Sequence, residues 1–363
     1  MKILLCTPYS TSPEVTQGGI TIWARNMMEY YQTIDTDVQV EVVPFDRKRR
    51  DRGLFNRICG GITDYNKAIT NVKKILDNSQ YDVLHLCTSA SLSLVKDIRV
   101  LKMARKHSVK TIIHFHFGRI PELAEQNNWE WKLLKNVLKL ANEIITIDLK
   151  SYESLKKQGY QNIYYLPNPL SNKIIRQIEN ESNNIERDLK KICFVGHVIP
   201  SKGVYEMCNA CANIKGIKLY VIGKVTKEVR TKMLQLTGNS ETIVFEEEIA
   251  HEDVIRELLS SGIFVLPSYT EGFPNVILEA MACGCAIATT KVGAIPEMLN
   301  VDTDAPCGLC CDPKDVEGLH KNIQFYLEHP TKIKTFTGRA IKRVNGMYAV
   351  PIVWKQLEEI WEK

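Results

Sequence analysis

The 363-residue chain predicts an α/β protein built from two doubly wound domains. Three observations carry that reading. Short apolar runs rich in Val and Ile alternate with longer amphipathic stretches almost from end to end. Most of the runs are continuous, not alternating, and the rhythm occurs twice, on either side of a polar stretch at 171–191. Continuous apolar runs fit parallel strands buried on both faces, and the amphipathic stretches between them supply the crossover helices. A chain of this length is comfortable for two domains of ordinary size.

Taken in order, the strand-like runs of the first half are Ile3–Cys6, Val38–Val43, Val83–Cys87, Thr111–Phe115, Ile144–Ile147 and Ile163–Leu166. Those of the second half are Ile192–Val195, Lys218–Ile222, Thr242–Phe245, Gly262–Pro267, Ala286–Thr289 and Gly308–Cys311. The expected division is a domain over 1–170, a connection over 171–191 and a second domain over 192–345. Asn172, Asn180, Asn183 and Asn184 stand among charges in the connection, as turn-rich segments do. After Pro351 the apolar residues 352, 353, 354, 357, 360 and 361 follow a helical period, so a C-terminal helix over 346–363 is expected to join the first domain. No short repeat or low-complexity tract interrupts this plan.

Composition narrows the class. Hydrophobic residues make up 44% and charged residues 25%, the balance of a globular protein. No run of 18 apolar residues exists, and the opening apolar stretch is too short for a signal-peptide core, so a cytoplasmic chain is expected. The eleven cysteines are odd in number and several fall inside apolar patterns, which suits reduced thiols used as small core side chains. Net charge is +5, with 24 basic against 17 acidic side chains up to residue 165 and 23 against 25 beyond it. The basic first half suits an anionic surface or acceptor, and ordinary solvated surface is the alternative.

The most informative segment is Phe264–Glu279. A buried strand ends near Ser268, a glycine-containing turn follows, and Pro274 stands where a helix opens. The helix runs through Ala280, Met281 and Ala282 to a stop at Gly284. The first turn of such a helix presents backbone N–H groups with partial positive charge, a ready site for a diphosphate. Glu271 lies in the loop at the mouth and Glu279 about one and a half turns inside the helix. Elsewhere, Gln17-Gly18-Gly19-Ile20 precedes an apolar helix, where two glycines let backbone approach a phosphate. Its spacing is not G-x-G-x-x-G, which argues against a dinucleotide dehydrogenase. Lys202, after the run ending at Val195, can set a point charge against a diphosphate without a metal. His114 and His116 share one face of a strand end, with Phe115 on the other.

Glu271-Gly-Phe-Pro-Asn-Val-Ile-Leu-Glu279, backed by Ala280-Met-Ala-Cys-Gly284, resembles the E-x₇-E signature of the retaining family 4 glycosyltransferases. The resemblance extends over nearly the whole chain. It implies the GT-B architecture, two facing Rossmann-like domains with a cleft between them. It implies that Glu279 binds the donor ribose and Glu271 the transferred sugar. Gly272, Phe273, Pro274 and Asn275 would hold sugar hydroxyls and phosphate, and Lys202 the diphosphate. Gly18 and Gly19 match the family's glycine loop, and His116 its active-site histidine. His114 is read as structural, and Asn168 either matches the family's interdomain turn or is an ordinary turn residue. The family has arginine where this chain has His197, which cannot fork onto phosphate in the same way.

Other signals are set aside. Asp35-Thr-Asp37 and Asp302-Thr-Asp304 spell a metal-binding D-x-D, but neither follows a buried strand as that motif requires. Cys208 with Cys211, and Cys307 with Cys310 and Cys311, lack a four-ligand zinc spacing. No metal, cofactor or nucleic-acid partner is expected. The basic run Arg47–Arg52 and the stretch holding Trp129, Trp131, Leu133, Leu134, Val137 and Leu138 are either solvated loop and packed helix or a peripheral contact with an anionic membrane. The expected function is retaining, metal-independent transfer of a hexose-type sugar from a nucleotide-sugar, a UDP-sugar favoured. The acceptor is a glycan or lipid-linked molecule of cell-surface polysaccharide synthesis. A nucleotide-sugar 2-epimerase, which needs no acceptor, and a non-catalytic nucleotide-sugar-binding partner subunit are the alternatives.

Overall fold

The computed structural model describes residues 1–10, 18–45, 54–238 and 242–363, and among these the side chains of 54–62 are not described. The chain divides into two compact units, Met1–Pro169 with Val353–Lys363, and Leu170–Ile352.

The first unit holds β1 (Lys2–Thr7), β2 (Gln39–Pro44), β3 (Val83–Thr88), β4 (Lys110–Phe115), β5 (Glu143–Thr146) and β6 (Ile163–Tyr165). They form one parallel sheet in the order β2-β1-β3-β4-β5-β6. All six residues of β3 are buried, as a central parallel strand covered on both faces requires, whereas edge strand β2 is mostly open to solvent. One face packs Leu4, Leu84, Leu86, Ile113 and Phe115 against Leu94, Val100, Trp131 and Leu134 of the covering helices. The other face carries His85 and His114, which meet Trp23 of helix Gly19–Tyr31 and, at His85, Trp361 of helix Val350–Glu362.

The second unit repeats the plan with β7 (Asp188–Val195), β8 (Lys218–Ile222), β9 (Ile243–Glu246), β10 (Ser261–Leu266), β11 (Ala286–Thr290) and β12 (Leu309–Cys311). Their order is β12-β11-β10-β7-β8-β9, again all parallel. Successive crossovers run one way from β7 to β9 and then jump back across β7 to β10. The carboxyl ends of β7 and β10 therefore lie side by side where the winding reverses, the place where open α/β sheets bind ligands. The corresponding reversal in the first sheet lies between β1 and β3.

Each run predicted from sequence coincides with a strand. The largest displacement is at β7, which begins at Asp188, four residues before the apolar signal at Ile192. Asp188, Leu189 and Lys190 are exposed although paired, so hydrophobicity could not reveal them. The stretch 171–191, read as a connection, is folded into the second unit. Ser171 caps helix Asn172–Glu181 through Ile174 N–H, and that helix is tied to helix His251–Ser260 by Arg256 on Glu181. Near the C-terminus a π turn, Val344–Tyr348, precedes helix Val350–Glu362, which from Val353 onward belongs to the first unit.

The ten described cysteines are all unpaired, and all but Cys310 are buried. No described helix is long and apolar enough to cross a membrane.

Arg187 fastens the far end of the helix that opens at the second winding reversal. Its guanidinium donates to Ser261 O at 2.6 Å, Gly284 O at 2.8 Å and Cys283 O, just beyond helix Asn275–Ala282. A cation there also meets the negative end of the helix dipole. Arg187→Ala is expected to lower the stability of the second unit by about 3 kcal/mol, since three partly buried carbonyls lose a charged donor. Urea unfolding followed by near-ultraviolet dichroism checks this.

Candidate functional site

In the second unit, two turns build the site. After β7 the chain passes Gly196 and His197 and makes a single 3₁₀ turn, Pro200–Lys202, ended by Gly203 at φ +70°. After β10 it passes Pro267 and Ser268 into the loop carrying Glu271. The two turns touch through backbone: Tyr269 N–H donates to Ser201 O at 2.9 Å. A Cβ on Gly203 would sit 2.0 Å from Pro267 O, so no other residue fits there without displacing the second turn. Lys202 Nζ consequently lies 2.6 Å from Glu271 Oε1, and Ser268 Oγ donates to the same oxygen at 2.6 Å. Glu271 is largely covered and Lys202 about a quarter exposed, so the ammonium keeps one side open.

The loop holding Glu271 is clamped from behind. Gly272 O accepts from Ala294 N–H at 2.9 Å. Gly293, at φ +54°, brings its backbone so close that a Cβ would meet Glu271 O at 2.3 Å. Phe273 is buried edge-on against Tyr348. Pro274 is the residue before the helix, and Asn275 its first residue. Gly284 adopts φ +72° and ends the helix, as expected. Glu279, on the fifth residue of that helix, is buried but for one edge, and His251 Nε2 lies 3.0 Å from its Oε1. His197 is exposed beside this region.

In the first unit, Gly18 precedes helix Gly19–Tyr31 with extended backbone, and Gly19 is its first residue. Among the described residues a Cβ on either would meet nothing within 4 Å, and free space in front of a helix N-terminus is what an approaching phosphate needs. The same helix carries Trp23 onto the histidines. His116 follows β4, its ring 5.0 Å from Trp23 and 3.9 Å from His114, while Phe115 points into the opposite core. Both ring nitrogens of His116 are covered and have no hydrogen-bond partner among the described residues. Asn168 is buried near the end of this unit.

Burial pushes the His85 and His116 rings down to about 3 from 6.5, and His114 well below its usual value, with the neighbouring rings adding repulsion for His114 and His116. His85, Cys87 and His114 also lie close enough together to suggest metal ligands. Their hydrogen bonds argue for a different use. Trp361 Nε1–H donates to His85 Nδ1 at 3.0 Å, which places the His85 proton on Nε2 facing His114 Nδ1 at 3.3 Å. A metal on those two nitrogens would need both lone pairs, and burial holds Cys87 as a thiol.

Thus the structure brings Lys202 to Glu271 and sets Gly272, Phe273, Pro274, Asn275 and Glu279 on one loop and helix. It sets the His116 ring 3.9 Å from that of His114, tilted by 34°. The readings from sequence missed Ser268, His251, Trp23, His85 and Trp361. His251 lies 28 residues from Glu279 and opens a different helix, so no local spacing reveals the pair. Trp23 could be found, since it follows the glycine pair by one helical turn. Of the Trp129–Leu140 helix, Trp131, Leu134, Val137 and Leu138 are core, while Trp129 stays 54% exposed. The run Arg47–Arg52 lies outside the described residues. Asp35 and Asp37 precede β2, and Asp302 and Asp304 lie in an exposed turn.

Comparison with known proteins bears on the fold and on the second unit. Residues 175–343, nearly all of the second unit, match the family model of the glycosyl transferases group 1. The chain is 27% identical over 321 residues to the capsular polysaccharide biosynthesis glycosyltransferase CapM of Staphylococcus aureus, covering 85% of this chain and 73% of that protein. It is 23% identical to the MMP alpha-(1->4)-mannosyltransferase of Mycolicibacterium hassiacum over 64% of this chain, and spans 56% of that relative's length. Among solved structures, the sucrose-phosphate synthase of Thermosynechococcus elongatus aligns with a TM-score of 0.74 at 17% identity, covering 99% of this chain and 98% of that one. HepE of Anabaena, solved in complex with UDP, aligns at 0.70 and 17% identity, covering 99% of each chain. The fold is that of the GT-B glycosyltransferases, an α/β protein of two parallel-sheet domains.

Two outcomes are expected. Gly203→Ala should destabilise the second unit by about 3 kcal/mol, combining the left-handed backbone with the clash on Pro267; thermal unfolding beside wild type tests it. As pH falls below 6.5, the unfolded chain takes up a proton at His85 and at His116 that the folded chain refuses until about pH 3. Stability should therefore drop across that window, with a slope reaching about 1.4 kcal/mol per pH unit for each ring. Imidazole proton resonances followed from pH 7 to 4.5 should show these rings still neutral while the protein stays folded.

Proposed function

We propose that the chain is a retaining glycosyltransferase that moves a hexose-type sugar, from a UDP-sugar in preference to other nucleotide-sugars, onto a glycan or lipid-linked acceptor in cell-surface polysaccharide synthesis. The observation that carries this reading is the constellation at the second winding reversal: Lys202 on Glu271 in front of a helix N-terminus, with Glu279 inside that helix. The group 1 match over the same residues supports it, as does the name of the Staphylococcus aureus relative.

In this reading the donor diphosphate lies against the backbone before Asn275 and beside Lys202. Both stabilise the charge that develops as the leaving group departs, so no metal is required. Glu279 takes the ribose hydroxyls, with His251 orienting the carboxylate from its Oε1 side. Glu271, oriented by Ser268, and the Gly272–Phe273 backbone take the sugar hydroxyls. On the first unit, no described residue fills the space at Gly18 and Gly19 that a phosphate would take, and His116 offers ring nitrogens that no described residue uses. Retention of configuration follows a front-face route, the leaving phosphate helping to remove the acceptor proton. We place the protein in the cytoplasm, with Trp129, Leu92 and Val95, all exposed, resting on an anionic leaflet when the acceptor is lipid-linked.

Thermal unfolding with UDP, GDP, ADP and their sugars, with and without EDTA, tests the donor site. At 100 times its dissociation constant a ligand adds about 2.7 kcal/mol. An EDTA-insensitive shift for UDP is the expected result, and no shift with any nucleotide sinks the reading. Glu279→Ala and Lys202→Ala should each reduce transfer at least about tenfold, as expected for loss of one charged contact to the donor. Full transfer by both variants, in proteins that melt like wild type, would show the assignment of these residues to be wrong.

A further inference from the structure

We propose that Trp361 is a positioning residue for His116, acting through the hydrogen-bonded pair His85 and His114. The inference rests on the reading of His116 as a substrate-contacting side chain.

An indole N–H can donate but not accept, so its 3.0 Å contact with His85 Nδ1 fixes that nitrogen as the acceptor. In a neutral ring the proton then sits on Nε2, which faces His114 Nδ1 at 3.3 Å and donates to it. His114 in turn carries its proton on Nε2, an atom with no hydrogen-bond partner among the described residues. One donor on the C-terminal helix thereby sets the tautomers of two rings in succession. Burial keeps these rings neutral, so each has a tautomer to be set.

The third ring inherits the result. The His116 ring nitrogens have no hydrogen-bond partner among the described residues, and the ring lies 3.9 Å from that of His114, tilted by 34°, and 5.0 Å from that of Trp23. A ring placed by tilted and edge-on ring contacts follows the orientation of the rings it meets. His114 cannot turn over without breaking its bond to His85, and His85 cannot without orphaning the buried Trp361 N–H, a costly loss. Trp361 itself is fixed by burial and by an edge contact with Trp354. Its aromatic bulk serves packing; its N–H serves the relay.

The test separates those two roles in the full chain. Trp361→Phe keeps most of the bulk and removes the donor. With histidine labelled in ¹⁵N, the wild-type spectrum should show His85 and His114 each as a single Nε2–H tautomer, and the Trp361→Phe spectrum a mixture. The rate of nucleotide release from the nucleotide-sugar giving the largest thermal shift should fall about tenfold at saturation, the scale of a small misplacement of a reacting group, with KM for that donor little changed. His85→Gln can accept from Trp361 and donate to His114 through one carboxamide, so it should retain the rate, whereas His85→Leu should fall as Trp361→Phe does. A wild-type rate in folded Trp361→Phe or His85→Leu overturns the relay. A wild-type rate in His116→Ala, with the tautomers as expected, instead overturns the reading of His116 on which the relay's purpose rests.

Discussion

Two backbone turns pressed together at the reversal of the second sheet govern the rest of the candidate site. Parallel strands deliver every crossover from the same edge, so the chain leaving β7 and the chain leaving β10 emerge side by side and must share the space above the sheet. Gly203 makes this possible by turning left-handed against Pro267 O, and Gly293 does the same behind Glu271. Everything that could handle an anion or a sugar is carried on the two loops so joined. Lys202 reaches Glu271 because its turn ends there, and the helix begins at Asn275 because Pro274 and the clamped Gly272 fix its start. Arg187 holds the other end of that helix to β10, so the helix is anchored at both ends.

The two units solve the cost of burying polar groups differently. In the second, the charged groups are paired and partly wet: Lys202 with Glu271, His251 with Glu279. Solvent and a partner both remain within reach of each group, which lowers the cost of covering it. In the first, the histidines of β3 and β4 sit among tryptophans, with no counter-ion against the rings among the described residues, and burial makes them neutral. A neutral imidazole both donates and accepts, which a charged one cannot. A chain of such rings can be ordered by a single donor, whereas a row of protonated rings at these distances would repel.

Most strands were legible because burial on both faces leaves a continuous apolar run, and the twelve predicted runs mark twelve strands. Legibility ended where a paired strand is wet, as at Asp188–Lys190, and where a polar stretch folds onto its unit through ion pairs, as helix Asn172–Glu181 does. At the site, residues within one loop and helix could be read from local spacing, because Glu271, Pro274, Asn275 and Glu279 need only a turn and a helix to be placed. Partners contributed by other elements could not. His251 reaches Glu279 from the start of another helix, and Trp361 reaches His85 across 276 positions of sequence. Those meetings follow from strand order, which no local pattern encodes.

Pairing Glu271 with Lys202 also constrains what the proposed donor site can favour. Both Lys202 and Ser268 bond the same oxygen, Oε1, and that carboxylate is largely covered. A diphosphate drawing the ammonium away would leave a buried carboxylate with Ser268 as its remaining donor, an unfavourable exchange worth on the order of 1–3 kcal/mol. A sugar whose hydroxyls reach Glu271 restores the lost donor in the same step. Under the proposed function, the free nucleotide is therefore held less well than its diphosphate and base alone would predict, and the complete donor recovers the difference through its sugar. The ion pair thus couples recognition of the phosphate to recognition of the hexose, and favours release of the nucleotide once the sugar has gone.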